Sequence, residues 1–369
     1  IHTTVQDRGR YGYQRFGVPV SGAMDEFALR AANLLVGNDQ GAACLEMTIL
    51  GPGIKFLTDT WIAVTGANLS PKLDNDSIPS WETVEVPAGS MLSFDEMQDG
   101  IRAYLAVAGG IDVPIVMGSR STYVNAGIGG QEGRSLKRGD VVSTLPINAE
   151  PIRHRLPAGY EAPTYGKHHR IRVAFGPQHR AFSPDSVATF MTSNWIIGLD
   201  SDRMGYRLEG PPIEHLAGPN IVSDGNPAGA VQVPGDGIPR ILLADRGTTG
   251  GYTKIATVIT ADLGRLAQAA PGQTVTFKSV TIEEAHKVLR QREVVLSSIA
   301  RQTSTLSDFS PGLSVSVDGE DFDVENADGH TVSGPALPGK LASTKTHRAR
   351  TTVDDCTYEF EVEVRKEEV

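Results

Sequence analysis

Cysteine is scarce in this sequence. The 369 residues include two cysteines, Cys44 and Cys356, with no Cys-x-x-Cys pair and no cysteine–histidine cluster. These absences argue against a zinc site, and we predict that the chain binds no metal. Two cysteines so far apart fit a reducing compartment at least as well as they fit one disulfide, which favours the cytoplasm.

Long apolar runs are also missing. No stretch approaches the roughly 18 apolar residues that a membrane-spanning helix needs. The opening residues, IHTTVQDRGR, lack the apolar core of a signal peptide. The net charge is −10 and no basic stripe is present, which argues against nucleic-acid binding. We therefore predict a cytoplasmic protein that binds neither membranes nor nucleic acids.

Several signatures of catalysis or cofactor binding do not occur. The sequence has no Gly-x-Ser-x-Gly elbow, no P-loop, no Rossmann glycine pattern and no Met-Lys-Met biotinylation motif. Their absence argues against an α/β-hydrolase serine, a P-loop nucleotide site and biotin attached to this chain. The nine histidines are scattered, and the pair His168-His169 falls in a proline-rich segment that we interpret as a linker.

Glycine and proline, in contrast, are abundant, at 40 and 22 residues. Many glycines between short apolar runs favour a mainly β fold with a few helices. We predict a first β domain at 1–150, a linker at 151–168, a second β domain at 169–300 and a polar extension at 301–369. The similar segments AGSMLSF (88–94) and PGQTVTF (271–277) indicate that one β-barrel-like unit is duplicated.

Hydrophobic periodicity predicts the individual elements. Helical spacing occurs at 24–37, at 254–269 and at about 281–300. Alternating or continuous apolar runs bounded by turn residues predict strands. These lie at 61–66, 90–94, 102–107, 171–175, 241–245 and 274–277, with further pieces at 313–319 and 358–364 in the extension.

A first polar cluster lies near the N-terminus, in TTVQDRGRYGY (3–13) and GVPVSGAMD (17–25). Its glycines allow a backbone to approach a ligand closely. The polar residues that it brings together are Gln6, Asp7, Arg8, Arg10, Ser21 and Asp25. Arginine can bind a carboxylate or phosphate through two parallel hydrogen bonds. The alternative is a turn with a surface salt bridge, in which Ser21 caps the following helix.

A second cluster is SDRMGYRLEGP at 201–211. Its arginines, Arg203 and Arg207, are four residues apart and Asp202 precedes them. This arrangement predicts an anion site, and the alternative is a solvated network of salt bridges.

The third cluster is VQVPGDGIPRILLADRGTTGGYTKIA at 231–256. An apolar strand ends in Asp245 and Arg246, a glycine-rich segment follows, and Lys254 stands at the predicted start of a helix. A glycine-rich loop between a strand and a helix directs backbone N–H groups at an anion. We predict Asp245, Arg246 and Lys254 as catalytic residues, and the alternative is a tight structural turn.

These segments resemble one known family, allophanate hydrolase subunit 2, also described as the C subunit of 5-oxoprolinase or as an antagonist of a kinase inhibitor. The resemblance covers about residues 1–290 and rests on the four blocks TTVQDRGRYGY, GVPVSGAMDEFALRAANLLVGN, SDRMGYRLEGP and GTTGGYTKIATVITADLGRLAQ, in the family's order. It implies two cyclophilin-like β-barrel domains. The predicted substrate-binding residues are Asp7, Arg10, Ser21, Asp25, Gln178, Asp202, Arg203, Arg207, Gln232, Thr248, Thr249, Gly250, Gly251 and Tyr252.

The resemblance also implies a function and partners. The expected function is that of a subunit of an ATP-dependent amide- or lactam-processing enzyme, which acts with an allophanate hydrolase subunit 1-type partner and, in the 5-oxoprolinase system, a LamB/YcsF-type subunit. ATP is expected at the complex and not on this chain alone. The substrate class is a small amide, lactam or urea-like compound, and the chain is expected to be inactive by itself.

Two alternatives stay open. The same fold forms half of the carboxyltransferase part of urea carboxylase, and that function would need biotin on another chain. A regulatory protein that antagonises a kinase inhibitor would need no chemistry at all. The family loop commonly reads DRQTTGGYPKIA, whereas Gly247 and Thr253 stand here in place of its Gln and Pro. The substrate within the class therefore stays open.

Overall fold

The computed structural model describes residues 2–147, 154–157 and 159–304, together with the backbone of four strands after residue 314. The chain divides into two compact units, Ile1–Thr303 and Ser304–Val369. Among the described residues, four α-helices accompany a much larger set of strands. The prediction of a mainly β fold with a few helices is therefore confirmed.

Within its described residues, the first half of the larger unit contains one α-helix, α1 (Glu26–Leu35), and eleven strands. The strands are β1 His2–Gln6, β2 Cys44–Thr48, β3 Ile54–Lys55, β4 Thr60–Asn68, β5 Pro71–Leu73, β6 Asp76–Ser77, β7 Thr83–Val86, β8 Met91–Phe94, β9 Asp99–Val107, β10 Ile111–Asp112 and β11 Ser143–Thr144. An antiparallel five-stranded sheet has the order β1-β2-β9-β4-β7, and a four-stranded sheet has the order β3-β8-β5-β6.

The second half contains a closed barrel with the strand order β12-β19-β16-β17-β14-β13-β20. Its strands, and the two of a separate hairpin, are β12 His168–Phe175, β13 Trp195–Ile197, β14 Gly205–Glu209, β15 Asn220–Gly225, β16 Ala230–Gln232, β17 Arg240–Leu242, β18 Thr249–Tyr252, β19 Lys254–Val258 and β20 Thr274–Ser279. The helices of this half are α2 Pro184–Thr192, α3 Thr260–Ala267 and α4 Ile282–Ser304.

Each half has an apolar core. The barrel interior is filled by residues such as Ile171, Val173 and Trp195, and the rings of Phe190 and Phe277 stack with centroids 4.4 Å apart. In the first half, β9 is buried on both faces because one face packs on the sheet core and the other on α1. Helix α4 packs against α1, because Leu296 and Ile299 of α4 belong to the same apolar cluster as the buried side chains of α1.

The structure corrects the predicted helix at 254–269. Its first part is strand β19, Lys254–Val258, and only Thr260–Ala267 is helical. Residues 255–258 include three β-branched side chains, which pack well in sheets, and β19 pairs with β12 on one side and β16 on the other. Helix α3 also supports the barrel, because Asp262 binds the guanidinium of Arg172 on β12.

Other predicted elements are found with adjusted ends. Strands β4, β8, β9, β12 and β20 and helices α1 and α4 lie where periodicity placed them. The strand predicted at 241–245 covers only Arg240–Leu242, and His168-His169 opens β12 instead of lying in a linker.

The smaller unit consists of two hairpins where strands are described. They pair β21 (Val315–Val317) with β22 (Glu320–Phe322), and β23 (Thr344–Val353) with β24 (Cys356–Arg365). Strands β21 and β24 fall on the two alternating segments predicted from the sequence. In the part of the chain that the structure describes, no helix is long and apolar enough to cross a bilayer. The cytoplasmic location stays a prediction.

Candidate functional site

A cleft of about 470 Å³ opens between the N-terminal segment, the barrel and α4. Four arginines line it, against two glutamates, so its lining carries an excess of positive charge. These residues are Arg8, Arg30, Arg246 and Arg292, with Glu26 and Glu293. A concave, charged site of this size suits a small anionic ligand.

Two of the arginines tie the walls together. Arg30 on α1 binds both carboxylate oxygens of Glu293 on α4 at 2.6 Å, and Arg8 binds Glu26 at 3.0 Å. The guanidinium of Arg292 lies 5.2 Å from the ring centre of Phe27. The width of the cleft is therefore set by contacts between α1 and α4.

Ser21 is the most unusual residue of the cleft lining. Its φ of +55° lies in the left-handed region, which is uncommon for a residue with a side chain. Its N–H donates to the carbonyl of Ala244, and Gly22 follows in the same region with φ +81°. The buried Ser21 Oγ has no hydrogen-bond partner among the described residues. A strained backbone and an unused buried hydroxyl at one position are typical of a functional site.

Arg246 is the predicted catalytic residue that faces the cleft. Its Nε donates to the carbonyl of Asn226 and its Nη1 to that of Leu243, whereas its Nη2 makes no hydrogen bond within the described ranges. Burial lowers the pKa of Arg246, against the opposing influence of Tyr11 and Asp245, and the guanidinium remains charged at neutral pH. The side chain is thus held at two points with one donor group left for a ligand.

Asp245 and Arg203 meet beside the cleft in a buried ionic network. The guanidinium of Arg203 donates to Asp245 Oδ2 at 2.8 Å, to Glu46 Oε1 at 2.6 Å and to the Gly22 carbonyl at 2.7 Å. All three charged side chains are less than 10% exposed. Arg203 therefore links three parts of the chain. They are β2 through Glu46, the segment before Arg246 through Asp245, and the segment after Ser21 through the Gly22 carbonyl.

The charges in this network hold one another ionised. Burial alone would raise the pKa of Glu46, but Arg203 and Arg102 outweigh it and leave that pKa below its ordinary value. Burial disfavours the charged form of Arg203, yet Glu46 and Asp245 raise its pKa further above the ordinary range. Every nitrogen of the Arg203 guanidinium donates within the chain, and the role of Arg203 in binding substrate stays a prediction.

A second group of buried polar residues extends the network across both halves. Tyr104 donates to Glu46 and accepts from the N–H of Asp25, while Gln268 donates to the Asp25 carboxylate. Arg102 on β9 donates to the Tyr206 hydroxyl on β14 at 2.6 Å. Sequence reasoning missed Glu46, Arg102, Tyr104 and Gln268. The available signal was a charged residue inside a mainly apolar strand, Glu46 in β2 and Arg102 in β9.

In the N-terminal cluster, Asp7 and Arg10 make hydrogen bonds within the chain. The Asp7 carboxylate accepts from Ser119 Oγ, from the Arg120 N–H and from Ser121 Oγ, and Arg10 donates to the Ser121 carbonyl at 2.6 Å. Both side chains are buried. They fasten the 119–121 segment to the N-terminal turn and so support the part of the chain that leads to Ser21.

The structure also decides which residue caps α1. The proposed cap Ser21 is too early in the chain, and the Asp25 carboxylate instead accepts from the Ala28 N–H. Asp25 is 3% exposed and is bound by Gln268 as well. Asp25 therefore links the first half to the C-terminal end of α3, and its contact with substrate stays a prediction.

The glycine-rich segment is not a loop before a helix. Thr249–Tyr252 forms β18, which pairs with β15 in a hairpin, and Lys254 begins a strand. Thr248 is partly buried and its carbonyl accepts from the Asn226 N–H. The predicted helix start at Lys254 is therefore wrong, and the anion site predicted for this segment stays a prediction.

Other predicted residues gather near Lys254. Gln178 accepts from the Lys254 N–H through its side chain, and Gln232 donates to Asn226 Oδ1. Gly250 lies against the amides of Gln232 and Asn226, where a side chain would collide with both. None of these residues lines the cleft, whereas Arg246 does.

The remaining predicted residues belong neither to the cleft lining nor to the group around Lys254. Asp202 is exposed and accepts from the N–H groups of Met204 and Gly205 in a turn, and Arg207 is half-buried on β14. Thr253, which departs from the family's usual proline, uses its N–H to bind the Pro219 carbonyl. Within the described ranges, no group of three or more His, Cys, Asp or Glu is placed to hold a metal ion.

Comparisons with known proteins identify the family of the chain. The profile of the family described as "Carboxyltransferase domain, subdomain A and B" matches residues 16–279. The C subunit of 5-oxoprolinase from Escherichia coli (strain K12) is 42% identical over 300 residues, which cover 81% of this chain and 95% of that protein. Urea amidolyase of Saccharomyces cerevisiae is 36% identical over 316 residues, which cover 81% of this chain and 17% of that enzyme.

A solved structure supports the same assignment. The urea carboxylase of Kluyveromyces lactis superposes with a TM-score of 0.76 at 30% identity, over 96% of this chain and 32% of that one. The chain thus spans nearly all of the bacterial protein and a minor part of the two larger enzymes. It belongs to the family of carboxyltransferase domains with subdomains A and B.

Proposed function

We propose that this chain is the C-type subunit of an ATP-dependent enzyme that opens a small lactam of the 5-oxoproline type. The observation that carries the proposal is the 42% identity that extends over 95% of the C subunit of E. coli 5-oxoprolinase. We propose a subunit 1-type protein as its partner, and a LamB/YcsF-type protein as the third component of the enzyme. ATP would be used by the assembled enzyme.

The charge of the cleft fits this substrate class. 5-Oxoproline carries a carboxylate beside its lactam amide, and an arginine held at two points presents its remaining donors in a fixed direction. Arg246 is held in this way. We therefore assign Arg246 to the substrate carboxylate or to charge that develops during reaction, with Ser21 Oγ as a further donor to the substrate. Asp245 acts indirectly, because its carboxylate is bound to Arg203.

The same geometry supports a chain that is inactive alone. A nucleophilic serine needs a base within hydrogen-bond reach. Ser21 Oγ has no hydrogen-bond partner among the described residues, so none of those residues is in place as a base to activate it. A partner protein that closes over the cleft would supply the missing groups.

The test is reconstitution of the complex with variants of this chain. Replacing Arg246 by Ala should lower 5-oxoproline-dependent ATP hydrolysis by about 10²–10³-fold if the guanidinium meets developing charge. Arg240→Ala is the matched control, because that arginine is 43% exposed and pairs only with Asp236 in the described structure. Equal turnover by the Arg246 and Arg240 variants would contradict the proposal, as would turnover by this chain alone.

A second candidate function rests on the urea carboxylase structure, which superposes at a TM-score of 0.76. In that case the same cleft would serve carboxyl transfer, with biotin carried by another chain. Turnover that depends on carboxybiotin and not on 5-oxoproline would select this function. The fuller coverage of the 5-oxoprolinase protein favours the first candidate.

A further inference from the structure

Arg292 is a cation of the cleft that the proposed function does not use. It lies on α4, after the last residue that the family profile matches, and its side chain lines the cleft. Its guanidinium lies 5.2 Å from the ring centre of Phe27, and no hydrogen bond or salt bridge joins it to another described residue. Contact with an aromatic ring attracts a guanidinium without giving it a hydrogen-bond acceptor. The N–H donors of Arg292 therefore remain for a ligand.

The charges of the cleft lining do not cancel. The two glutamates of the described lining bind Arg30 and Arg8. The other two arginines, Arg246 and Arg292, have no carboxylate partner among the described residues. Two positive charges are thus uncompensated there, and a cleft with an excess of one sign attracts ligands of the other sign. The balance suits a ligand that carries two negative groups.

Opening a lactam creates such a ligand. Water adds across the C–N bond of the amide, and ATP supplies the free energy in the reaction proposed above. The oxygen of the water joins the carbonyl carbon, which becomes a carboxylate, while both hydrogens go to the nitrogen, which becomes an ammonium group. 5-Oxoproline already carries one carboxylate, so its open form, glutamate, carries two.

We propose that Arg292 binds the carboxylate that lactam opening creates, so that the cleft holds the dicarboxylate product between Arg292 and Arg246. The identity of this product rests on the proposed function. The carboxylate that the substrate already carries stays with Arg246. A cleft of about 470 Å³ has room for both carboxylates of so small a molecule. Helix α4 thus contributes the residue that distinguishes the open product from the lactam.

Contacts beside Arg292 fix its helix to the wall of the cleft. The neighbouring Glu293 accepts two hydrogen bonds of 2.6 Å from Arg30 on α1. One turn further along, Leu296 is 2% exposed in the apolar cluster that α4 shares with α1. A guanidinium on an anchored helix keeps its place when the ligand changes, which favours selection by the number of charges.

The probes are glutarate, which has two carboxylates, and its monoamide, which has nearly the same shape and one carboxylate. Isothermal titration calorimetry measures their binding to the full chain and does not depend on turnover. Arg292→Met removes the cation and keeps an unbranched side chain beside Phe27, and Arg292→Gln is a second variant that keeps a polar end. Arg290→Met is the matched control, because Arg290 is exposed on the same helix and does not line the cleft.

The wild-type chain and the Arg290 variant should bind glutarate about tenfold more tightly than the monoamide, as expected for one further charge-assisted hydrogen bond. Both Arg292 variants should bind the two probes about equally well. In the assembled complex, glutamate should inhibit 5-oxoproline-dependent ATP hydrolysis, and Arg292→Met should raise its inhibition constant about tenfold, whereas Arg290→Met should not.

Two calorimetric results would overturn the role of Arg292. One is a wild-type chain that does not prefer glutarate, and the other is an Arg292 variant that keeps the preference. A complex without 5-oxoproline-dependent hydrolysis would instead contradict the proposed function and with it the identity of the product. The two failures are distinguishable, because the calorimetry tests the second anion-binding residue without the reaction.

Discussion

Replacing Arg203 by Ala should destabilise the chain severely. The side chain joins Glu46, Asp245 and the Gly22 carbonyl, and both carboxylates are under 10% exposed. Its removal leaves two buried carboxylates without their cation, which typically costs about 3–5 kcal/mol. Since domains are stable by about 5–15 kcal/mol, the variant should lose a substantial part of its stability at neutral pH.

The loss of unfolding free energy in the Arg203 variant should become smaller as the pH falls. In the wild type, the folded-state pKa of Glu46 lies below its ordinary 4.5, so its contribution is present above that value and lost as the pH falls through the folded pKa. In the variant, burial is no longer opposed by Arg203, and the folded-state pKa should rise above 4.5. As the pH falls, Glu46 is therefore protonated in the folded variant before it is protonated in the folded wild type, and the variant loses its unpaired buried charge. The difference in unfolding free energy should narrow as the pH falls from 7 toward 4.5.

Urea unfolding followed by circular dichroism at several pH values measures this difference. Arg207→Ala is the matched control on the neighbouring strand, since that side chain is half-buried outside the Arg203 network, and it should change stability by under about 0.5 kcal/mol. Adding Glu46→Gln to Arg203→Ala should recover part of the loss. A loss below about 1 kcal/mol, or one that widens with acid, would refute the account of the network.

Three further outcomes are expected. Ser21→Gly should keep or raise the melting temperature, because glycine adopts φ +55° without the steric cost of about 1–2 kcal/mol that a Cβ incurs there. The same variant should lower turnover of the complex, and unchanged turnover would show that Ser21 has no role in the site. Gly264→Ala should cost about 1–3 kcal/mol in urea unfolding, although alanine usually stabilises helices, because its Cβ would collide with Asp25 Oδ1. A stabilised variant would show that Asp25 can move. Thr253→Pro should destabilise the chain in a thermal melt, because it removes the N–H bonded to Pro219; an unchanged melt would show that this bond contributes nothing.

Local sequence patterns were sufficient for elements that carry a clear apolar face or a continuous apolar run. Helix α1 shows its apolar face through its spacing, and the long strands β4 and β9 are apolar runs between turn residues. The segment 254–269 misled because β19 is paired on both sides by strands far away in the chain. Pairing over such distances leaves no mark in a local period.

The candidate site was only partly predictable for the same reason. Arg203 was recognised as an anion-binding arginine, but its partner Glu46 lies 157 residues away and consumes a donor that a ligand would need. The left-handed backbone of Ser21 is set by its bond to Ala244 and by its neighbour Gly22, which no residue pattern displays. Residue types identified the segments involved, whereas the fold determined which side chains remain available to a ligand.

The central claim is that this chain supplies the arginine-lined cleft of a 5-oxoprolinase-type enzyme. The most direct measurement is ATP hydrolysis with and without 5-oxoproline by the chain mixed with a subunit 1-type partner and a LamB/YcsF-type protein. We expect hydrolysis that requires 5-oxoproline and all three proteins, and its loss with Arg246→Ala in a complex that still assembles. An unchanged rate when this chain is omitted, or when Arg246 is replaced, would contradict the account.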